Sequence, residues 1–186
     1  MKITKEKIIK ITSDIANQKG LSSISLKLIA EELGIKTPSL YNHIESLDDL
    51  LRGVAHVGMR EMNDKMKESV IGKIGDESII LVGVEYFKYI IVNPGVYEVI
   101  QWVGWHRNDE TNFILSDYQE LLKKLIRSCN FREEKIEDIL TLITSIFHGY
   151  SSLELAKALE DKEDVLLKFE ENLDVVLSGL HLKYDK

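Results

Sequence analysis

The chain reads as an all-α protein, a small three-helix head followed by a larger helical body, about nine helices in all. Apolar residues recur at three- and four-residue spacing nearly throughout, the period of an amphipathic helix. Only two prolines occur, Pro38 and Pro94, and both stand where a helix can start. With 44% hydrophobic residues among 186, the chain can bury a real core, which sets disorder aside.

The elements follow in order. Residues 4–19 form a first helix, with Ile8, Ile11, Ile15 and Ala16 on one face and Gly20 as its stop. Ser25 caps a second, about 26–33, because its hydroxyl can accept a bond from an otherwise orphan backbone N–H. Ala30 lets a crossing helix approach closely, and Gly34 ends the helix as a residue free to take positive φ. Thr37 caps a third, about 38–44, with Pro38 at the first position, where a missing N–H costs nothing. Ser46 and Asp49 form a capping box for a fourth, about 47–70, which links head to body. Gly72 and Gly75 mark a loop.

The body opens with an apolar helix over 76–92. Asn93-Pro94-Gly95 breaks it and starts a short segment through Trp105. A helix over 110–129 and two long amphipathic helices, 133–159 and 162–182, complete the chain. Ile136, Ile139, Ile143, Ile146, Phe147, Tyr150 and Leu153 stripe the first of these two, and Leu166, Phe169, Leu173, Val176, Leu177 and Leu180 the second. Two domains are expected: a small head, 1–46, and a larger body, 47–186.

The net charge of −7 is unevenly divided. Residues 1–46 hold seven Lys and five Asp or Glu, about +2, which leaves −9 for the rest. A mildly basic head on an acidic body confines any attraction for phosphate to the head. Cys129 is the one cysteine, so no disulfide or cysteine metal site forms within one chain. The N-terminus lacks a signal peptide's apolar core, and the most apolar run, 79–92, carries Glu85 and Lys88 and is too short for a bilayer. These features predict a soluble, cytoplasmic protein with no membrane partner.

Residues 25–51 carry the functional signal. Two short helices joined by a tight turn, the second presenting small, polar and aromatic residues, suit a helix-turn-helix that reads the major groove. Leu40 faces back into the junction and leaves Ser39, Tyr41, Asn42 and His43 outward. Lys27 and Lys36 can bond phosphates as point charges. Thr37, Pro38 and Ser39 sit at the N-terminal end of the reading helix, the end that meets base edges. Pro38 offers apolar contact to a thymine methyl, and the two hydroxyls reach donors or acceptors. Tyr41 and His43 suit phosphates, fixing register.

The stretch 21–51, with its Leu40-Tyr41-x-His43-Ile44 core and the short gap before the fourth helix, resembles the DNA-binding domain of the tetracycline-repressor (TetR) family of bacterial regulators. That resemblance implies backbone contacts from Tyr41 and His43, a palindromic double-stranded DNA operator, a small-molecule effector and a homodimer built on the two C-terminal helices. One departure stands out. Leu47, Asp48 and Asp49 occupy a region where many members place a Lys against phosphate, so either a modest DNA affinity or compensation from Lys5, Lys7 and Lys10 is expected. Phe147-His148-Gly149 resembles a Trp-His-Gly motif in the regulatory domain of one branch of the family, with Phe in place of Trp; Gly149 would then allow close helix approach.

The body concentrates aromatics, and small-molecule pockets are mostly apolar with a few polar groups. Phe87, Tyr97, Trp102, Trp105, His106, Phe113, Phe147 and His148 are the candidate ligand contacts, with Glu85 and Gln101 as further polar groups. Ordinary core packing is the competing reading of each. The resemblance implies ligand-controlled repression: a ligand in the body would shift the connecting helix, change the spacing of the two heads and release the operator. No cofactor and no metal are expected, the five histidines being too scattered for a site. Catalysis would have to use His106 with Asp109 or Asp117, or His148 with Ser151 and Glu154, and neither set comes with a nucleophile elbow or phosphate loop. A helical adaptor that keeps the motif but binds protein is the remaining alternative.

Overall fold

The computed structural model describes residues 3–159 and 165–186. Among these residues the chain forms eight α-helices, three short 3-10 segments and no strand beyond an isolated bridge between Phe131 and Asp185. No single helix among them is long and apolar enough to cross a membrane. The chain divides into two compact units, 1–61 with 93–114 and 62–92 with 115–186.

In the first unit, α1 (Lys5–Lys19) starts at Thr4, whose hydroxyl accepts from Lys7 N–H at 3.3 Å, and buries Ile8, Thr12, Ile15 and Ala16. A 3-10 turn (Leu21–Ser23) leads to α2 (Leu26–Leu33). Ser25 accepts from Leu28 N–H at 3.2 Å, and Gly34 closes the helix at φ 66°, its N–H bonded to the Ala30 and Glu31 carbonyls. A non-glycine residue would be strained at that φ.

The third element departs from expectation. Residues 37–42 form a 3-10 helix (Thr37–Asn42), not an α-helix over 38–44. Its N-cap is Lys36, and no side chain caps it, so Thr37 is the first helical residue and not the cap. The stretch is short, and Pro38 near its start has no N–H to give; 3-10 geometry is common in such brief pieces.

The fourth element is α3 (Leu47–Ser69). Its capping box is closed: Asp49 N–H donates to Ser46 Oγ at 3.1 Å, and Asp49 Oδ2 accepts from Glu45 N–H at 3.2 Å. Up to residue 61 this helix buries Leu50, Leu51, Val54, Ala55 and Met59 in the first unit.

In the second unit, α4 (Gly75–Val92) is the apolar helix expected over 76–92. After it the chain returns to the first unit with α5 (Pro94–Trp105), which packs on α1. Asn93, its N-cap, makes no side-chain cap bond; Asn17 of α1 supplies one instead. Asn17 Oδ1 accepts from Val96 N–H at 3.0 Å, and its Nδ2 donates to Asn93 Oδ1 at 3.3 Å. Glu98 Oε2 in turn accepts from Leu21 N–H at 3.0 Å. Gly95 permits this crossing: a Cβ there would lie 1.9 Å from the Ala16 carbonyl oxygen.

Next comes α6 (Asp109–Ser128), whose first turns belong to the first unit. In the second unit, α4 packs against α7 (Ile136–Leu155) and α8 (Val165–Tyr184). The expected start of the last helix at 162 lies outside the described residues. The sequence predicts close helix approach at Gly149, yet a Cβ there would meet open space. The close approach is at Gly83, where a Cβ would stand 2.8 Å from the Phe147 ring and 3.0 Å from Leu173. Gly149 lies on the exposed side of α7, away from the Phe147 face.

His181 ties α8 to the start of α4. Its Nε2 lies 2.9 Å from both Asp76 oxygens and its Nδ1 2.5 Å from Asp185 Oδ1. Ionised carboxylates only accept, so both ring nitrogens need protons and His181 is held as imidazolium. The Asp76 bond, joined by the Asp185 bond, raises its pKa above the ordinary value. Stability from this link is therefore full below the unfolded-state pKa and fades as pH climbs through the higher folded one. Melting curves of wild type and His181→Gln should show the wild-type advantage at about pH 6 and its loss on the alkaline side; a difference that grows with pH contradicts this. Cys129 nearby is buried, and burial pushes its thiol up to about 12, so it stays protonated.

Candidate nucleic-acid interface and aromatic core

Two side-chain-capped helices, α2 at Ser25 and α3 at Ser46, flank the candidate reading surface. Leu40 is fully buried and pins the 3-10 segment to α2, with the turn held by Ile35 N–H on the Ala30 carbonyl at 3.0 Å. Its neighbours then project outward: Tyr41 is 56% exposed, Asn42 and Pro38 are exposed, and Thr37, Ser39 and His43 are half-buried. Lys36 is exposed beside them. Lys27 is exposed on α2, with only a loose 3.9 Å contact to Glu31 one turn on. Such an exposed pair holds little energy, so Lys27 can turn to a phosphate at small cost. All eight residues expected on this surface, Lys27, Lys36, Thr37, Pro38, Ser39, Tyr41, Asn42 and His43, thus lie in one unit and reach solvent.

The acidic start of α3 has a structural explanation in part. Asp49 is engaged by the capping box and by Lys5, whose Nζ lies 3.2 Å from Oδ1. Asp48 remains exposed. Lys5 is therefore occupied with Asp49, while Lys10 is exposed and Lys7 half-buried.

The aromatic candidates separate into two groups. Phe87, Phe147 and His148 come together in the second unit. There Phe87 and Phe169 have ring centroids 4.9 Å apart, Tyr86 and Phe147 5.3 Å, and Tyr150 and Phe169 5.0 Å. His148 Nδ1 meets the Tyr86 hydroxyl at 3.2 Å, and burial pushes its imidazole below the ordinary pKa. Tyr97, Trp102, Trp105, His106 and Phe113 belong to the first unit. Tyr97 is buried, and Trp102 stacks on His106 at 4.6 Å. Trp105 and Phe113 are 86% and 72% exposed, so neither lines an enclosed pocket in this structure.

Sequence reasoning missed Asn17, Glu98 and His56. The first two act on backbone groups 79 and 77 residues away, and no local pattern signals such pairs. His56 is buried on α3 with Nε2 2.8 Å from Thr111 Oγ1 and Nδ1 3.2 Å from Glu110. Burial lowers its pKa, partly opposed by Glu110.

Capped α2, a tight turn and an exposed 3-10 segment have the layout of a helix-turn-helix, the class of fold that reads DNA. Residues 79–176 match the family model described as tetracyclin repressor-like, C-terminal domain. The chain is 30% identical over 180 residues, 96% of its length and 93% of the relative's, to the uncharacterized HTH-type transcriptional regulator YobS of Bacillus subtilis. It is similar in fold to a regulatory protein of the tetR family from Rhodococcus RHA1, at TM-score 0.75 and 15% identity, covering 96% and 97% of the two chains. It also resembles a TetR variant of Acinetobacter baumannii in complex with minocycline, at TM-score 0.71 and 15% identity over the whole of both chains. The protein belongs to the tetracycline-repressor-like family of transcriptional regulators. It is a DNA-binding regulator of transcription and not an enzyme.

Proposed function

We propose that this regulator is a homodimeric repressor that leaves a palindromic operator when a small molecule binds its body. The observation that carries the reading is the exposed 3-10 face around Tyr41, anchored by buried Leu40 between capped α2 and capped α3. A head this small makes few base contacts, so two heads on half-sites one DNA turn apart, about 34–36 Å, supply the specificity. Residues Thr37, Pro38 and Ser39 meet bases; Lys27, Lys36, Tyr41 and His43 meet phosphates. The protein works in the cytoplasm, on the nucleoid when bound.

Dimerisation through α7 and α8 is supported by apolar side chains left outside the second unit's core. Leu142 and Leu153 on α7 are 42% and 46% exposed, and Val175 and Leu182 on α8 68% and 92%. A C2 interface needs such a self-complementary patch. Sedimentation should find wild type dimeric and Leu142→Glu/Val175→Glu monomeric, with operator affinity falling in step; a monomeric wild type that still binds a palindrome tightly removes this part.

The effector binds in the body, where one dimer conformation must favour it over the other. Linkage then requires that saturating operator weaken effector binding by the same factor by which effector weakens operator binding.

The DNA contacts themselves are tested on any bound fragment. Tyr41→Ala should weaken specific binding roughly 10- to 150-fold, the loss of a hydrogen bond to a charged group at about 1.5–3 kcal/mol. Lys36→Gln should lower the slope of log affinity against log salt by about one. Unchanged affinity in the first and unchanged slope in the second would remove both residues from the interface.

A further inference from the structure

One cleft within the first unit is unexplained by DNA reading or by the aromatic core. It holds about 240 Å³ and is lined by Lys5 and Ile9 of α1, by Asp49, Arg52, Gly53, His56, Val57 and Arg60 of α3, and by Asn108 and Glu110 at the start of α6. Arg52, His56 and Arg60 are four residues apart and so share one face of α3. The walls contain no aromatic ring besides the His56 imidazole, and the volume falls below that of pockets for drug-sized apolar ligands.

Its charges do not balance. Lys5, Arg52 and Arg60 are permanent cations at neutral pH, against the two carboxylates Asp49 and Glu110. Asp49 is held by Lys5 and its capping box. Glu110 is held by Arg60 at 2.7 Å and His56 at 3.2 Å, and the Arg60 bond keeps its pKa below the usual range. Burial lowers the pKa of His56, partly opposed by Glu110, and the imidazole is left outside this count of fixed charges. Among the described residues Arg52 pairs with no carboxylate; its guanidinium donates to the main-chain carbonyl of His106. One positive charge is left over, on the side chain whose planar fork suits two-point recognition of carboxylate or phosphate.

We infer that this cleft binds a small oxyanion, a carboxylate or a phosphate, on Arg52 with help from Arg60 and Lys5. The bound anion joins α1, α3 and the 106–110 segment, all within the unit that carries the recognition element. It therefore acts on the head from a site that shares no residue with the aromatic cluster of the second unit. The inference rests on the cleft alone and stands or falls separately from the operator and effector readings.

The test is isothermal titration calorimetry of the full chain with inorganic phosphate and, separately, with malonate, at constant ionic strength held by chloride. Wild type should take up at least one of them saturably at one site. Arg52→Gln, which keeps a donor for the His106 carbonyl, should weaken that uptake at least about tenfold, the loss of one charge-assisted contact. Glu110→Gln should tighten it several-fold by removing the competing carboxylate. A Lys27→Gln/Lys36→Gln variant should bind like wild type, because those lysines lie on the reading surface. Should Arg52→Gln not fold, judged by circular dichroism, Arg52→Lys serves: it keeps the charge, loses the fork and should bind more weakly than wild type. Absence of saturable uptake of either anion by wild type, equal affinity in the Arg52 variant, or loss only in the Lys27/Lys36 variant overturns the site.

A second arm identifies the anion's source. If Arg52→Gln also lowers the salt slope of DNA binding by about one, the occupant is a phosphate of the DNA backbone. If the slope holds while phosphate or malonate uptake is lost, the occupant is a free anion. Either result keeps the site.

Discussion

The variant Gly95→Ala should lower the melting temperature by roughly 4–12 °C, the fall that about 2–3 kcal/mol produces in a chain of this size. The added Cβ would lie 1.9 Å from the Ala16 carbonyl oxygen, 2.1 Å from its carbon and 2.6 Å from Asn17 N. All three are backbone atoms, so no side chain can swing aside. Relief requires α1 and α5 to separate, which also breaks the bonds from Val96 and Leu21 to Asn17 and Glu98. Operator binding should fall with it, because α1 supports the head. Gly104→Ala, on the same helix but facing open space, supplies the control. It should be neutral or stabilising by up to ~1 kcal/mol, the helix-propensity gain of alanine over glycine. A Gly95→Ala protein that melts within a degree of wild type would mean that the crossing is not as tight as described.

Phe147→Ala should cost about 3–5 kcal/mol, or roughly 6–20 °C in melting temperature. Phe147 is fully buried, lies against the backbone at Gly83, and meets the rings of Tyr86 at 5.3 Å and Phe169 at 5.9 Å. Deleting the ring leaves a void that a helix crossing this tight cannot close. The same variant separates two roles for the residue. If Phe147 packs as core, stability falls with or without any effector. If it lines an open ligand cavity, truncation costs below about 1 kcal/mol, since few packing contacts are lost. Thermal melts with and without a second substitution at Gly83, to serine, give a further check: Gly83→Ser should be destabilising alone and less so beside Phe147→Ala, which vacates the space its side chain needs.

The helix-turn-helix was legible in the sequence because its determinants are local. Ser25, Gly34, Ser46 and Asp49 act within four residues of themselves, and each holds the capping or stop position assigned to it. Leu40 is buried and Tyr41 exposed for the same reason, the short-range alternation of a helical turn. The 3-10 geometry of 37–42 was not legible, since over so short a stretch α and 3-10 turns differ only in whether each N–H bonds four or three residues back.

The misjudgements in the body arise from long-range contacts. Gly149 sits in a recognisable motif and faces solvent, whereas Gly83, in no motif, carries the helix crossing. Gly95 reads locally as part of a helix break, but its larger consequence is the contact with Ala16 of α1, far earlier in the chain. The aromatic residues were visible as a group, but composition alone could not sort them into two units, nor separate buried Phe147 from exposed Trp105. The cleft on α3 was equally hidden. Arg52, His56 and Arg60 share a helical face in the sequence, but Lys5 and Glu110 join them only through the fold.

The most direct test of the central claim is selection of random duplex DNA by the purified protein, followed by a salt titration on the enriched sequence. The account predicts a palindrome with half-sites one helical turn apart and a slope equivalent to several phosphate contacts, since each contributes about −0.9. No enrichment at low salt, or affinity that does not change with salt, would contradict DNA reading by the Tyr41 face and leave a helical adaptor as the better account.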